Sequence, residues 1–240
     1  MKIDLGQALD NLQEMRAEGN PQAVANALFV VGVAQMQKKR PQPARAALEE
    51  ALELCAQLGN FSGQGQVLLR LAELAQQAGQ PEAALGLLNR GLECFAQAGD
   101  APGRASALER RAALQRESGD LDGAAASLEE ALALALEAGD ELSQMLLSQY
   151  LGAVYRSLGQ NRKALDAYRR LGALSQKHNE PQREALALLG VGTLLATEGR
   201  AEEADEAEEA FKSAEEAFGR LGQPKQAAAV AAERRRLLGR

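Results

Sequence analysis

The stretch LGAVYRSLGQNRKALDAYRRL, residues 151–171, decides the fold. It has the form of two helical segments joined at Gly159, where the first must end in a left-handed backbone conformation that glycine adopts at no steric cost. Small residues, Gly152 and Ala164, stand on the two segments, with Leu151, Tyr155, Tyr168 and Leu171 as large neighbours. Large opposite small is how two antiparallel helices fill the space between them.

Read outward from this stretch, the pattern returns every forty residues. Residues 21–60, 61–100, 101–140 and 141–180 stack in register, and 181–223 follows as a longer fifth repeat. Residues 1–20 match only the second half of a repeat and residues 224–240 only the first half. One column holds Gly32, Ala72, Ala112, Gly152 and Gly192, and a second holds Ala44, Ala84, Ala124, Ala164 and Ala204. A third reads Ala51, Gly91, Ala131 and Leu171. The fillers are Leu28, Leu68, Leu108 and Leu188 on first helices, and Leu48, Leu88, Leu128 and Tyr168 on second helices.

The punctuation agrees with the columns. Gly79, Gly119, Gly159 and Gly199 end first helices; Gly59, Gly99, Gly139 and Asn179 end second helices. Asn60, Asp100 and Asp140 are N-caps, and Asn20–Pro21 reads as an N-cap with proline at the first helical position. The expectation is an all-α chain of twelve helices in one domain over 1–240: one leading, ten paired, one trailing.

Composition narrows the function. The hydrophobic fraction is 46% but aromatics are only 3%, with no Trp, so Ala and Leu must fill the interior, which suits close-packed helices and not a β-sandwich. A net charge of −6 supplies no basic face for nucleic acid. Cys55 and Cys94 lack metal-ligand spacing and read as buried free thiols of a reducing compartment. The opening MKIDLGQALDNLQEM has acidic and polar residues where a signal peptide needs an apolar run, and no stretch has the length of a membrane span. A cytoplasmic location is expected.

On these residues the chain resembles the tetratricopeptide repeat family. Leu151-Gly152 matches that motif's Leu-Gly pair, Tyr155 its first-helix aromatic, Gly159 its turn, Ala164 its alanine and Tyr168 its second-helix aromatic; Leu171 stands where the motif has Ala. The forty-residue period exceeds the family's usual 34 and is similar to the longer-helix form of spindle-orientation adaptors and bacterial peptide-sensing regulators. The resemblance implies a right-handed α-solenoid of antiparallel helix pairs whose first helices line a groove for a partner peptide or helix. Carried over position by position, that groove holds Asn26, Phe29, Val33 and Met36 in the first repeat. It continues with Gln66, Leu69 and Glu73, then Glu109 and Arg116, then Leu146, Gln149 and Arg156, and ends with Leu186, Leu189 and Thr193. The surface so outlined is apolar at both ends and charged in the middle. Phe29, Val33, Leu69 and Glu73 stand where carboxylate-clamping relatives use Lys and Asn, which argues against such a clamp.

The three extra residues of the fifth repeat precede Phe211, Ala214 and Phe218, and the expectation is a second helix almost one turn longer at its start. The acidic run Glu202, Glu203, Asp205, Glu206, Glu208 and Glu209 suits a helix N-terminus and is expected to pair with Arg234, Arg235, Arg236 and Arg240 of the trailing helix.

Nothing in the sequence points to catalysis or to a cofactor. The only histidine, His178, sits beside a turn; Gly190 and Gly192 lie in the small-residue register; Glu49-Glu50 and Glu129-Glu130 fall on exposed second-helix faces. The function expected is a non-catalytic adaptor or scaffold that binds another protein or a peptide, without nucleic acid, membrane insertion or metal. Self-association into a homo-oligomer and the sensing of a signalling peptide are the other two readings.

Overall fold

The computed structural model describes residues 3–198 and 203–239. Among them are twelve α-helices: α1 Leu5–Glu18, α2 Pro21–Gln37, α3 Pro41–Gln57, α4 Phe61–Gln77, α5 Pro81–Ala98, α6 Ala101–Glu117, α7 Leu121–Glu137, α8 Glu141–Ser157, α9 Asn161–Lys177, α10 Pro181–Glu198, α11 Ala204–Arg220 and α12 Pro224–Leu238. The predicted Gly199, Glu202 and Arg240 lie outside the described residues.

The helix ends follow from the residues placed there. Asn60, Asp100 and Asp140 accept from backbone N–H groups three residues ahead at 2.9, 2.8 and 3.1 Å, and Asn20 does the same for Gln22 and Ala23. Asp120 and Asp4 cap α7 and α1 in the same manner. Gly59, Gly79, Gly99, Gly119, Gly139 and Gly159 all have φ between +64° and +84°. At Gly159 the closing bonds are Gly159 N–H to the Arg156 carbonyl (3.1 Å) and Gln160 N–H to the Tyr155 carbonyl (2.9 Å). Asn179 takes the glycine's place with φ +54°. So does Lys39, at φ +55°, in the first repeat. No local preference marks lysine for that conformation; the same pair of closing bonds, Lys39 N–H to Met36 and Arg40 N–H to Gln35, holds it there.

The helices group into two compact units, Met1–Ser118 and Gly119–Arg240. In the first, each helix from α1 to α6 packs on the next, and the first helices α2, α4 and α6 also touch in a row. Its core includes Leu28, Val31, Leu48, Val67 and Leu71 with Ala44, Ala47 and Ala51 between them, and α1 adds Ala8 and Leu12. Burying each leucine here stabilises by about 1.5–3 kcal/mol relative to leaving it in water. In the second unit α7 to α12 pack in the same sequential way, with α8, α10 and α12 in the row of first helices. Its C-terminal core joins Phe211, Ala214, Phe218 and Val230.

The small-residue columns are places of contact. A Cβ on Gly32 would stand 2.7 Å from Leu48, and one on Gly192 3.2 Å from Phe211. Two expectations for the fifth repeat need correction. The second helix is not lengthened: α11 has 17 residues, as α9 has. Within the described residues α10 has 18 residues to the 17 of α8, and α11 begins at Ala204. The alanine column therefore passes through Ala207, fully buried, and not through the half-buried Ala204. The carbonyl of Ala207 stands 3.3 Å from the Cβ site of Gly192, just as that of Ala44 stands 3.4 Å from that of Gly32.

The second correction concerns charge. Within the acidic run Glu206 pairs with Arg169 of α9 at 2.7 Å, and Glu208 pairs with Lys212 of its own helix at 2.8 Å. α12 is tied to α11 through Arg234 and Glu215 at 2.8 Å, while Arg236 grips Glu233 within its own helix.

Candidate functional site

In the first compact unit the predicted groove residues separate into three groups. Phe29 and Met36 of α2 are half-buried against the core that α1 helps to build, and Val33 is half-buried between them. At the end of the same helix the Gln37 side chain accepts from the Ile3 N–H at 3.0 Å. Leu69 is only 8% exposed, so it belongs to the packing of α4 and offers a partner almost no surface. Asn26, Gln66 and Arg116 are exposed, and Glu109 is half-buried. Glu73 does not present a bare charge. Arg70 and Arg110 reach its carboxylate at 3.1 and 3.5 Å, two partners that the carry-over of groove positions did not include. Gln76 of α4 donates to Glu117 of α6 at 2.9 Å, so neighbouring first helices are also cross-linked by polar contacts.

The second unit brings four predicted residues into one cleft. Arg156 of α8 and Leu186, Leu189 and Thr193 of α10 line a cavity of about 420 Å³. Its other wall comes from Phe218 and Gln223 and from Gln226, Ala229, Val230 and Glu233 of α12. Leu146 and Gln149 lie half-buried on α8, outside this lining. The floor is apolar, supplied by Leu186, Leu189, Phe218 and Val230, which also join the C-terminal core. Charge of opposite sign faces it, with Arg156 on one helix and Glu233 on another. The hydrogen bonds from Arg236 (2.6 and 2.9 Å) hold the Glu233 carboxyl below its usual range, and Arg156 adds to the effect, so Glu233 is an anion at neutral pH. The Thr193 hydroxyl donates to the Leu189 carbonyl at 2.8 Å within its own helix. The α12 wall lies on the trailing half-repeat, beyond the complete repeats that carry the expected groove positions. Extending the count to the trailing half-repeat reaches Ala229.

Several charged side chains outside the cleft tie one helix to another. His178 stands 2.8 Å from Glu141, which Lys177 also reaches at 2.6 Å, so the end of α9 is pinned to the start of α8. Glu50 pairs with Arg16 at 2.5 Å. Glu129 accepts from the Tyr155 hydroxyl and from Lys163, and burial with that contact keeps the Tyr155 hydroxyl protonated far above the usual phenol range. Cys55 and Cys94 are free thiols, both pushed up by burial. Gly190 takes its place through packing, since a Cβ there would stand 2.7 Å from the Tyr168 ring. Among the described residues no cluster of His, Cys, Asp and Glu is placed to hold a metal ion, and no helix is long and apolar enough to cross a membrane.

Comparison with known proteins matches two spans to models of the tetratricopeptide repeat, residues 25–58 and residues 63–137. The stretch 151–171, which carries the motif resemblance most fully, lies outside both. No curated protein matches the chain. Among solved structures the chain is similar to BtubC (BKLC) from P. vanneervenii, with a TM-score of 0.71 and 18% identity over 95% of this chain and 89% of that one. It is similar to a putative kinesin light chain of Podosopora anserina with nearly identical TPR-like repeats, at TM-score 0.64 and 17% identity over 84% of this chain and 98% of that one. It is also similar to a Rap protein solved in complex with Competence and Sporulation Factor, at TM-score 0.60 and 17% identity over 97% of this chain and 69% of that one. At these identities the likeness is one of fold.

Proposed function

Because this chain is a tetratricopeptide-repeat protein, we propose that it works without catalysis, as an adaptor that holds a peptide or helix of another protein along its first helices. The cleft between α10 and α12 is the principal seat. One observation supports this reading: four residues that the family resemblance assigns to the groove, Arg156, Leu186, Leu189 and Thr193, line a single apolar-floored cavity. Such a cleft takes an apolar anchor side chain, and flanking charges on the ligand are read by Arg156 and Glu233. The exposed Asn26, Gln66 and Arg116 and the half-buried Phe29, Val33 and Met36 supply a second contact surface in the first compact unit. Free Cys55 and Cys94 suit a reducing, cytoplasmic setting.

The test compares wild type with Leu189→Glu and Phe29→Glu in affinity capture read by mass spectrometry. Loss of the same partner with Leu189→Glu, at unchanged helicity, supports the cleft. Retention of every partner at wild-type level sends the site elsewhere. Self-association has its own support in Leu58, on the turn before α4, and Phe61, the first residue of α4, which are 43% and 40% exposed. Light scattering at micromolar concentration decides it: a monomer refutes an assembly role.

A further inference from the structure

The two outermost helices are half-repeats of opposite kind. Among the described residues α12 is a first helix with no second helix after it, and α1 is a second helix with no first helix before it. The turns fix their registers: Gly222, before α12, matches Asn179, and Gly19, after α1, matches Gly59, all with φ between +54° and +70°. Arg235 then falls in the column of Gly32, Gly152 and Gly192, and Ala8 in that of Leu48, Tyr168 and Phe211. Asp4 falls in the column of Ala44 and Ala207. Asn11 falls in that of Ala51 and Gly91, and Ala231 in that of Leu28 and Leu68.

Within complete repeats these columns touch. The Cβ site of Gly32 stands 2.7 Å from Leu48 and 3.4 Å from the Ala44 carbonyl, and that of Gly91 stands 3.6 Å from the Leu68 Cβ. A small residue on one helix thus faces a large one on the other. On α12 and α1 both pairings are inverted. Arginine replaces the small first-helix residue, and alanine its large counterpart. Asparagine replaces the small second-helix residue, and alanine its leucine counterpart. Each inversion keeps one large and one small partner, as a packed helix pair requires, and an aspartate stands in the column beside the arginine. Asp4, Asn11 and Arg235 are exposed. A polar cap that serves solubility calls for hydrophilic residues, not for sizes matched between two helices of different units. We propose that α12 of one copy docks on α1 of a second copy and completes a sixth repeat, with Arg235 lying over Ala8 and pairing with the Asp4 carboxylate. The contact is head-to-tail, so it passes from copy to copy unless it closes a ring. Asp4 keeps its bond from the Gly6 N–H, because a carboxylate accepts on both oxygens. Gln226, Ala229 and Glu233 line the α10–α12 cleft. At about 100° per residue, Ala228, Ala231 and Arg235 lie on the opposite side of α12, so the contact does not rest on the cleft.

The test follows the mass of the full chain by light scattering in low salt from about 1 to about 200 µM, a range suited to a contact of one helix pair. The expected result is a mass that rises above one chain as concentration increases. Arg235→Glu blocks α12 and Asn11→Arg blocks α1. Both positions are exposed, so the circular dichroism of each variant should match wild type. Either variant alone should stay a single chain, since it has lost one of the two surfaces that every junction needs. Mixed in equal amounts, the two should form a pair and stop there. The unaltered α12 of Asn11→Arg meets the unaltered α1 of Arg235→Glu, and only blocked helices remain. A wild type that stays one chain throughout the range overturns the proposal. Association of either variant alone overturns it too, by placing the contact elsewhere, and so does an equal mixture that fails to pair.

Discussion

The Tyr168 ring packs directly on the backbone of Gly152: a methyl group added there would stand 2.8 Å from its Cε1. Gly190 of the next first helix stands as close on α10, at 2.7 Å. The second-helix aromatic of the fourth repeat is thus accommodated by glycines on α8 and α10.

Gly152→Ala should therefore destabilise although alanine is the better helix former. Overpacking costs about 1–3 kcal/mol, against a propensity gain of about 1 kcal/mol. Gly86→Ala is the matched control, an exposed helical glycine with nothing within 4 Å of its Cβ site. It should stabilise by about 0.5–1 kcal/mol. Denaturant unfolding of the two variants beside wild type checks the opposite signs; a gain at Gly152 would mean that the ring shifts freely.

Lys39 occupies the left-handed conformation that glycine occupies at the matching turns. A side chain there costs about 1–2 kcal/mol, of which glycine's greater unfolded freedom returns about half. Lys39→Gly should raise stability by about 0.5–1 kcal/mol, and Gly79→Ala, at φ +72°, should lower it by about 1 kcal/mol. Thermal melts of both variants provide the measurement.

These turns show what a sequence discloses and what it hides. Gly159 and Asn179 announce their conformation because few residues tolerate it. Lys39 does not, since the closing hydrogen bonds that impose it are formed by backbone groups common to all residues. The groove positions that the family resemblance implies for α10 meet at one cleft, yet about half of its lining lies on α11 and α12 and in the turn between them, beyond the last complete repeat. Leu69 differs from its expected exposure because a position that faces the groove in the family's repeat is covered here by its neighbours.

The register of the fifth repeat can be tested at two alanines. Ala207 is fully buried, whereas Ala204 is half-buried at the first residue of α11. Ala207→Leu should overpack the α10–α11 contact and cost about 1–3 kcal/mol, while Ala204→Leu should stay within about 0.5 kcal/mol of wild type. The reverse order in chemical denaturation would return the column to Ala204 and place the extra residues inside the helix.

The start of α8 sets a pH dependence. Asp140 accepts from the Ser143 hydroxyl at 2.6 Å and from its N–H at 3.1 Å, and the hydroxyl is the larger cause of a carboxyl held below its usual range. Glu141 is lowered chiefly by Lys177 and next by His178. Both carboxyls thus have a lower pKa folded than unfolded. Their stabilisation is fully present above the unfolded values, about 4, and is lost as pH falls through the folded ones. Asp140→Ala should cost about 1 kcal/mol at pH 7 through the lost cap. Glu141→Gln should lower the melting temperature slightly at pH 7, since the pair is exposed. For both variants the deficit relative to wild type should shrink steadily below pH about 4. A deficit that stays constant across melts from neutral to acid pH would show that the charge of these carboxylates contributes nothing to the joint between α8 and α9.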